Sequence, residues 1–239
     1  MNTEPFSIVA FGAHPDDIEF GCGGVIVRET RAGNRAHLIV CSHGESGTNG
    51  TPAERTREAQ KAAKLLGATV AFLKLDGDCR LEASPANALA VARILRGLRP
   101  AVVLAPTVVP NQHPDHYRLG QIVRDGARLA RYGGIKELRR SKPHRLEHLL
   151  FYAVTPEGEP QDLPRVLVDI SPPEIIAAWT KSMEAHASQL RTRNYVELQL
   201  TRARLNGLRA GVRYATALFP NDPPLLDSLQ LFGRGTRQF

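Results

Sequence analysis

Short apolar runs alternate along this chain with longer stretches in which apolar residues recur every three or four positions. Runs of the first kind read as buried strands, and stretches of the second as helices packed by one face. The pattern predicts a strand over residues 6–11, a helix over 17–32 and a second strand over 36–41. The polar, glycine-containing segment SHGESGTNGTPAE then reads as a loop. A helix from about residue 52 to 66 is ended by Gly67, the residue type that most readily closes a helix. Further on come a strand at 70–73, a helix at 86–98 closed by Arg99-Pro100, and a strand at 101–105. A helix from about 116 to 131, strands at 148–154 and 166–169, and helices at 172–190 and 195–210 complete the reading. There is no internal repeat and no low-complexity segment.

Strands alternating with helices define the α/β class, here a Rossmann-like three-layer sandwich with a mostly parallel sheet. Such sheets collect ligands at the carboxyl ends of their strands, where the strand order reverses. One domain is expected over residues 1–232, and the basic end of the chain, 233–239, is expected to fray.

Composition narrows the class. At 239 residues the chain can bury a large core, and 42% hydrophobic with 23% charged residues is ordinary for a soluble protein. No apolar run approaches the roughly 20 residues of a membrane span. The start, MNTEPFSIVAF, lacks the basic and small-residue features of a signal peptide, so a cytoplasmic protein is expected. Cys22, Cys41 and Cys79 show no paired spacing and are expected to be buried free thiols. The net charge of +7 is uneven: 13 Lys and Arg against 12 acidic residues over 1–120, but 18 against 12 over 121–239. The arginines are spread out with little aromatic interleaving, which argues against nucleic acid and for a small acidic partner.

The chemistry concentrates where two apolar runs give out. SIVAFGAHPDDIEF ends its run in His14, Pro15, Asp16 and Asp17; AVVLAPTVVPNQHPDHYRLG ends its own in His113, Pro114, Asp115 and His116. Proline holds the preceding histidine extended while the aspartates enter a helix. A single such motif reads as helix capping, with Asp16-x-x-Glu19 as a capping box or Asp115 as an N-cap. Two of them at the same sheet edge point to a divalent metal held by two imidazoles and a carboxylate, with a position open for water. Two adjacent carboxylates repel by about 4 kcal/mol at an effective dielectric of 20, and a cation offsets that. His14 and His116, from separate strand ends, are candidate ligands, with one of Asp16 and Asp17 as the third and the other as base. His113 is left free to protonate a leaving group or steady an oxyanion.

AHPDDIEFGCGG together with NQHPDH resembles the LmbE-like (PIG-L) zinc de-N-acetylases. The resemblance continues in GESGTNGTPAERTREAQKAAKLLGA, KSMEAHASQL and YVELQL…LRAGVRYATALF, covering about residues 6–220. It is nearest to the branch that deacetylates N-acetylglucosaminyl malate in bacillithiol synthesis. It is also similar at the metal motifs to the mycothiol-pathway enzymes. The resemblance implies His14, Asp17 and His116 as ligands of Zn2+, with Fe2+ able to take the same place, and Asp16 as general base. It implies His113 as the protonated partner and general acid tuned by Asp115, Arg55 as a substrate contact and Tyr195 as an oxyanion donor. A homo-oligomer is expected from the family alone.

The expected reaction is therefore hydrolysis of an acetamide on an amino sugar, with an anionic aglycone favoured. Rival readings are a chitooligosaccharide or mycothiol-type deacetylase, a thiol-conjugate amidase, or a non-catalytic metal- or nucleic-acid-binding protein. Other side chains carry weaker signals. Glu45 and Ser46 can line the pocket; His43 reads as a loop histidine with a local hydrogen bond; Asn49-Gly50 marks a turn. Apart from the resemblance, Arg55 and Glu58 read as a surface ion pair on one helix face. His37, His144 and His148 read as structural or exposed, His186 as a candidate to close the pocket, and Trp179 as core. GCGG lacks the spacing of a dinucleotide loop and reads as close helix packing or backbone approach to the metal loop.

Overall fold

A computed structural model describes residues 5–226 and 228 of the chain. Its elements in chain order are β1 (Ser7–Gly12), α1 (Asp17–Arg31), β2 (Arg35–Val40), α2 (Pro52–Leu65), β3 (Thr69–Phe72), α3 (Pro85–Leu98) and β4 (Val102–Pro106). They continue as α4 (Pro114–Ala130), β5 (His148–Tyr152), β6 (Val166–Asp169), α5 (Pro173–Glu184), α6 (Tyr195–Ala210) and β7 (Ala215–Pro220). The strands form one seven-stranded sheet in the order β3-β2-β1-β4-β5-β7-β6. The five strands from β3 to β5 pair in parallel, and β7 runs against both β5 and β6.

Alternation along the strands builds the layers. Ile8 and Ala10 of β1 face one way, into a core shared with Ile26 of α1, Leu66 at the end of α2, and Trp179 and Met183 of α5. Val9 and Phe11 face the other way, against Val91 and Leu95 of α3 and Leu119 and Ile122 of α4. Both faces are therefore covered, which is why β1 has no solvent-facing residue. The expected three-layer α/β sandwich is what the chain forms. Among the described residues no helix is long and apolar enough to cross a membrane. The tail expected at 233–239 lies outside the described residues.

Local chemistry explains most helix ends. Thr51 and Glu54 make a reciprocal capping box before Pro52 at the first helical position. Ser84 caps α3, and Asn194 caps α6. GCGG serves close packing: a Cβ on Gly21 would lie 2.1 Å from the Tyr152 ring, and one on Gly23 would lie 2.8 Å from Trp179. Trp179 is buried in the core as expected, its indole N–H donating to the Glu19 carbonyl.

Three elements differ from the sequence expectation. Helix α4 begins at Pro114 rather than near residue 116, because His113 is its N-cap and accepts from the Asp115 N–H. Asp115 is thus not the cap. The helix expected over 172–190 ends at Glu184; beyond it, the Ser188 N–H donates to Glu58 Oε1 at 2.8 Å, off the helical path. Strand β7 was absent from the pattern reading, although ATALFP is an apolar run. Its partners β5 and β6 lie far away in sequence, so nothing local announces it.

Candidate metal centre

The strand order reverses between β1 and β4, and both His-Pro-Asp turns leave those two strands. The site therefore sits at the switch point of the sheet, at the carboxyl ends. Asp17 opens α1, and its Oδ2 accepts from the Ala13 and His14 N–H groups at 2.8 and 2.9 Å. Its Oδ1 lies 2.9 Å from His116 Nε2. His14 Nδ1 lies 3.2 Å from His116 Nε2 and 3.6 Å from Asp17 Oδ2. An ion with ligand bonds of about 2.0–2.1 Å places tetrahedral neighbours about 3.3–3.4 Å apart; the two imidazole nitrogens, 3.2 Å apart, meet that spacing, and Asp17 turns Oδ1 towards His116 and Oδ2 towards His14. His113 also points inward: ring nitrogens of His14, His113 and His116 all lie within 4.8 Å of one another.

Electrostatics supports a cation here. Asp17, Asp78 and Asp115 are all at most 5% exposed, and all lie close to His14. Burial alone would raise the Asp17 carboxyl, but the adjacent His116 and His14 rings hold it well below the usual range. Burial disfavours a charged His14, yet Asp17, followed by hydrogen bonds to neighbouring carboxylates, raises it well above an ordinary histidine. In effect the imidazolium supplies the positive charge those carboxylates need. One oxygen, Asp115 Oδ1, is buried with no partner among the described residues. The residues present fit a divalent ion.

Asp16 has a different environment. It adopts φ 122°, a strained conformation for a non-glycine residue, and makes no capping bond, so the capping-box reading fails. Burial first, then the Asp17 charge, push its carboxyl up to about 7, against the pull of Arg55, His186 and His14. Arg55 is not paired with Glu58 on a surface. Only 4% exposed, it donates to the Pro15 carbonyl at 2.9 Å, the Gly44 carbonyl at 3.3 Å and Asp16 Oδ2 at 3.4 Å. Gly44 has φ +68°, and a Cβ there would meet the guanidinium at 1.9 Å. Glu58 instead holds Ser188.

His113 accepts the Asp115 N–H at Nδ1, which leaves its proton on Nε2. Burial, then the His14 and His116 charges, lower its pKa. The Asp115 and Asp17 charges pull the other way. The Asp115 carboxylate turns away from His113: its Oδ2 accepts from the Cys79 N–H at 2.7 Å and meets His14 Nε2 at 3.3 Å.

His14, Asp16, Asp17, Arg55, His113 and His116 line a cavity of ≈ 360 Å³ together with Phe20, Ser46, Gly47, Thr48, Asp78, Cys79, Val154, Thr155, Gln189 and Tyr195. Tyr195 therefore reaches the site, its ring stacked 5.2 Å from Phe20. Ser46 lines the cavity, whereas Glu45 does not; its carboxylate braces the loop by accepting from the His43 and Asp78 N–H groups. His186 is fully buried beside Glu19, at 3.5 Å, and does not line the cavity. His43 bonds Thr56 and stacks on Phe72, a local role as expected. Cys22 and Cys41 are buried, but Cys79 is exposed at the cavity, at φ 62° in a turn after β3. The sequence reading missed Asp78, Thr155 and Gln189. For Asp78 the signal was present: LDGDCRL follows a strand at the same sheet edge.

Comparison with known proteins defines the class. The family model described as GlcNAc-PI de-N-acetylase, PIG-L, matches residues 9–127, which contain both His-Pro-Asp turns. A solved structure of a conserved protein from Thermus thermophilus is 32% identical, covers 92% of this chain and 97% of its own, and superposes with a TM-score of 0.83. Diacetylchitobiose deacetylase of Thermococcus kodakarensis is 25% identical over 205 residues, 78% of this chain and 72% of that protein. A 4-carboxy-2-hydroxymuconate hydratase from Pseudomonas putida, 21% identical, covers 94% of this chain and 99% of its own, with a TM-score of 0.80. It shares the fold alone. The chain belongs to the PIG-L family of de-N-acetylases. As a member it is an amide hydrolase of the carbohydrate N-deacetylase class, with a cluster of histidines and aspartates around His14 that could hold a metal ion.

Proposed function

We propose that the chain hydrolyses the acetamide of an N-acetylglucosaminyl substrate, with His14, Asp17 and His116 holding a zinc ion. The donor set of two imidazoles and one carboxylate suits zinc, and iron(II) accepts the same ligands. The observation that carries the reading is the His14–Asp17–His116 triangle beside a second, non-equivalent carboxylate. When bound, the ion polarises the acetyl carbonyl and brings the pKa of a coordinated water from 15.7 to about 7.

The chain's own groups do the rest. Asp16, pushed up to about 7, is matched to taking a proton from the attacking water near neutral pH. Arg55 fixes Asp16 and its turn, so the base is aimed before substrate arrives. The Nε2–H of His113 donates to the oxyanion of the tetrahedral adduct, and Tyr195 at the cavity wall adds a second donor. Asp16, now a carboxylic acid, returns its proton to the departing nitrogen. The C–N bond breaks, the proton left on the new carboxyl passes to the amine, and acetate and the ammonium form of the sugar leave.

The sequence resemblance favours a malyl aglycone. Support from Arg55 weakens, because Asp16 already takes up its charge. Acetate release from malyl, inositol and chitobiosyl N-acetylglucosaminides tests the choice. Preference for the malyl substrate supports it, and no release from any of the three, with metal bound, removes the reading. Asp16→Asn should abolish release while metal stays bound. The expected cytoplasmic site, homo-oligomer and single domain over 1–232 belong to the same proposal; ultracentrifugation of the purified chain tests the oligomer.

A further inference from the structure

His14 offers its two ring nitrogens to different neighbours. Nδ1 faces His116 and Asp17, the proposed ligand side, while Nε2 faces away from them. On that far side Nε2 meets Asp78 Oδ1 at 3.1 Å and Asp115 Oδ2 at 3.3 Å. The two carboxylates come from different loops, Asp78 from the β3–α3 connection and Asp115 from the first turn of α4.

Both carboxylates are fixed in turn. Asp78 Oδ2 accepts the Ser46 N–H at 2.9 Å, the Ser46 hydroxyl donates to the Asp78 carbonyl, and the Asp78 N–H donates to Glu45. The Cys79 N–H donates to Asp115 Oδ2, and Cys79 takes a left-handed φ of 62° to do so. A β-carbon in that conformation costs about 1 kcal/mol or more, so the rest of the turn must impose it.

We infer that Asp78, acting with Asp115, is a positioning residue for the metal: the pair holds the proton on His14 Nε2 and so presents Nδ1 to the ion. The inference rests on His14 being a ligand, as proposed above. An imidazole can bind a cation only through the nitrogen that lacks a proton, so an acceptor at one nitrogen selects the other. Removing such an acceptor typically weakens metal affinity 10–100-fold. Asp78→Asn is the sharp substitution. Asp78 uses one oxygen for His14 and the other for the Ser46 N–H, whereas asparagine has a single acceptor oxygen. The amide must therefore point its NH2 group at one of those two donors.

Zinc affinity is measured by chelator competition on wild-type, Asp78→Asn and His14→Ala proteins, with thermal midpoints of the metal-free forms. A loss of about tenfold or more in Asp78→Asn, with the metal-free fold retained, is the expected result. Affinity within about threefold of wild type overturns the inference. If His14→Ala keeps wild-type zinc affinity, the ligand assignment itself fails, and the two failures are thereby told apart. Should Asp78→Asn not fold, nitrogen-15 NMR of zinc-loaded wild-type protein decides. A His14 signal with the proton on Nε2 supports the inference, and one with the proton on Nδ1 overturns it.

Discussion

Arg55 is the side chain whose removal separates an electrostatic role in catalysis from a simple substrate contact. Its Nη2 lies 3.4 Å from Asp16 Oδ2, with both side chains largely buried. At an effective dielectric of 20, that separation corresponds to about 5 kcal/mol of attraction. Because one pKa unit is about 1.4 kcal/mol, loss of the cation can raise the Asp16 pKa by up to about 3.5 units. Water in the cavity screens part of this, so a shift of about one to three units is expected on replacing Arg55 by Met. The Asp16 carboxyl already stands near 7, and a base must be ionised to work. The acid limb of kcat/KM should therefore move upward by at least about one unit, with activity recovering at alkaline pH. The carbonyls of Pro15 and Gly44 also lose a donor, at about 1–3 kcal/mol each, so the metal-free variant should unfold at lower denaturant. The assay is a pH series on the zinc-loaded variant and wild type. An unmoved acid limb with only KM raised would refute the electrostatic argument and leave Arg55 as a substrate contact.

Other consequences are open to measurement. Asp16 has a folded-state pKa raised above that of the unfolded chain, so it favours the fold at low pH, and that contribution is lost as pH rises from about 4 through 7. Metal-free Asp16→Asn should accordingly have a higher thermal midpoint than wild type at pH 8 and little advantage at pH 4; equal midpoints at both would contradict the strain assigned to this carboxylate. Arg96 is a buried arginine of another kind, donating to the carbonyls of Ala130, Leu138, Ser141 and Tyr132 around the end of α4. Arg96→Met should cost about 3 kcal/mol or more in chemical denaturation, while kcat per folded, metal-loaded molecule stays unchanged. Gly21→Ala forces a methyl group into the buried Tyr152 ring, and a loss of about 1–3 kcal/mol is expected from overpacking.

Much of the fold was legible because its signals are local. Thr51-Pro52 with Glu54, Ser84-Pro85 and Gly67 mark helix ends by chemistry within a few residues. The near-continuous apolar runs of β1 and β2 announce strands with both faces covered. Strand β7 escaped because its meaning lies in pairing with β5 and β6, across insertions that carry no matching signal. The end of α5 escaped because it depends on Glu58, about 130 positions earlier, reaching Ser188. The same division runs through the site. The His-Pro-Asp turns were visible, since proline and the paired aspartates fix their own geometry. Which nitrogen of His14 faces the ligand side, and which carboxylate supports it, depends on the β3–α3 loop folding over the α4 terminus. The Asp16–Arg55 contact likewise joins two elements only after the sheet has formed.

Metal content measured by mass spectrometry on chelator-treated protein, reloaded with zinc and dialysed, bears most directly on the site. Wild-type chain should retain about one zinc per molecule, and His116→Ala should lose most of it while remaining folded. A wild-type chain that retains no stoichiometric zinc, or a His116→Ala chain that retains as much as wild type, would contradict the proposed centre.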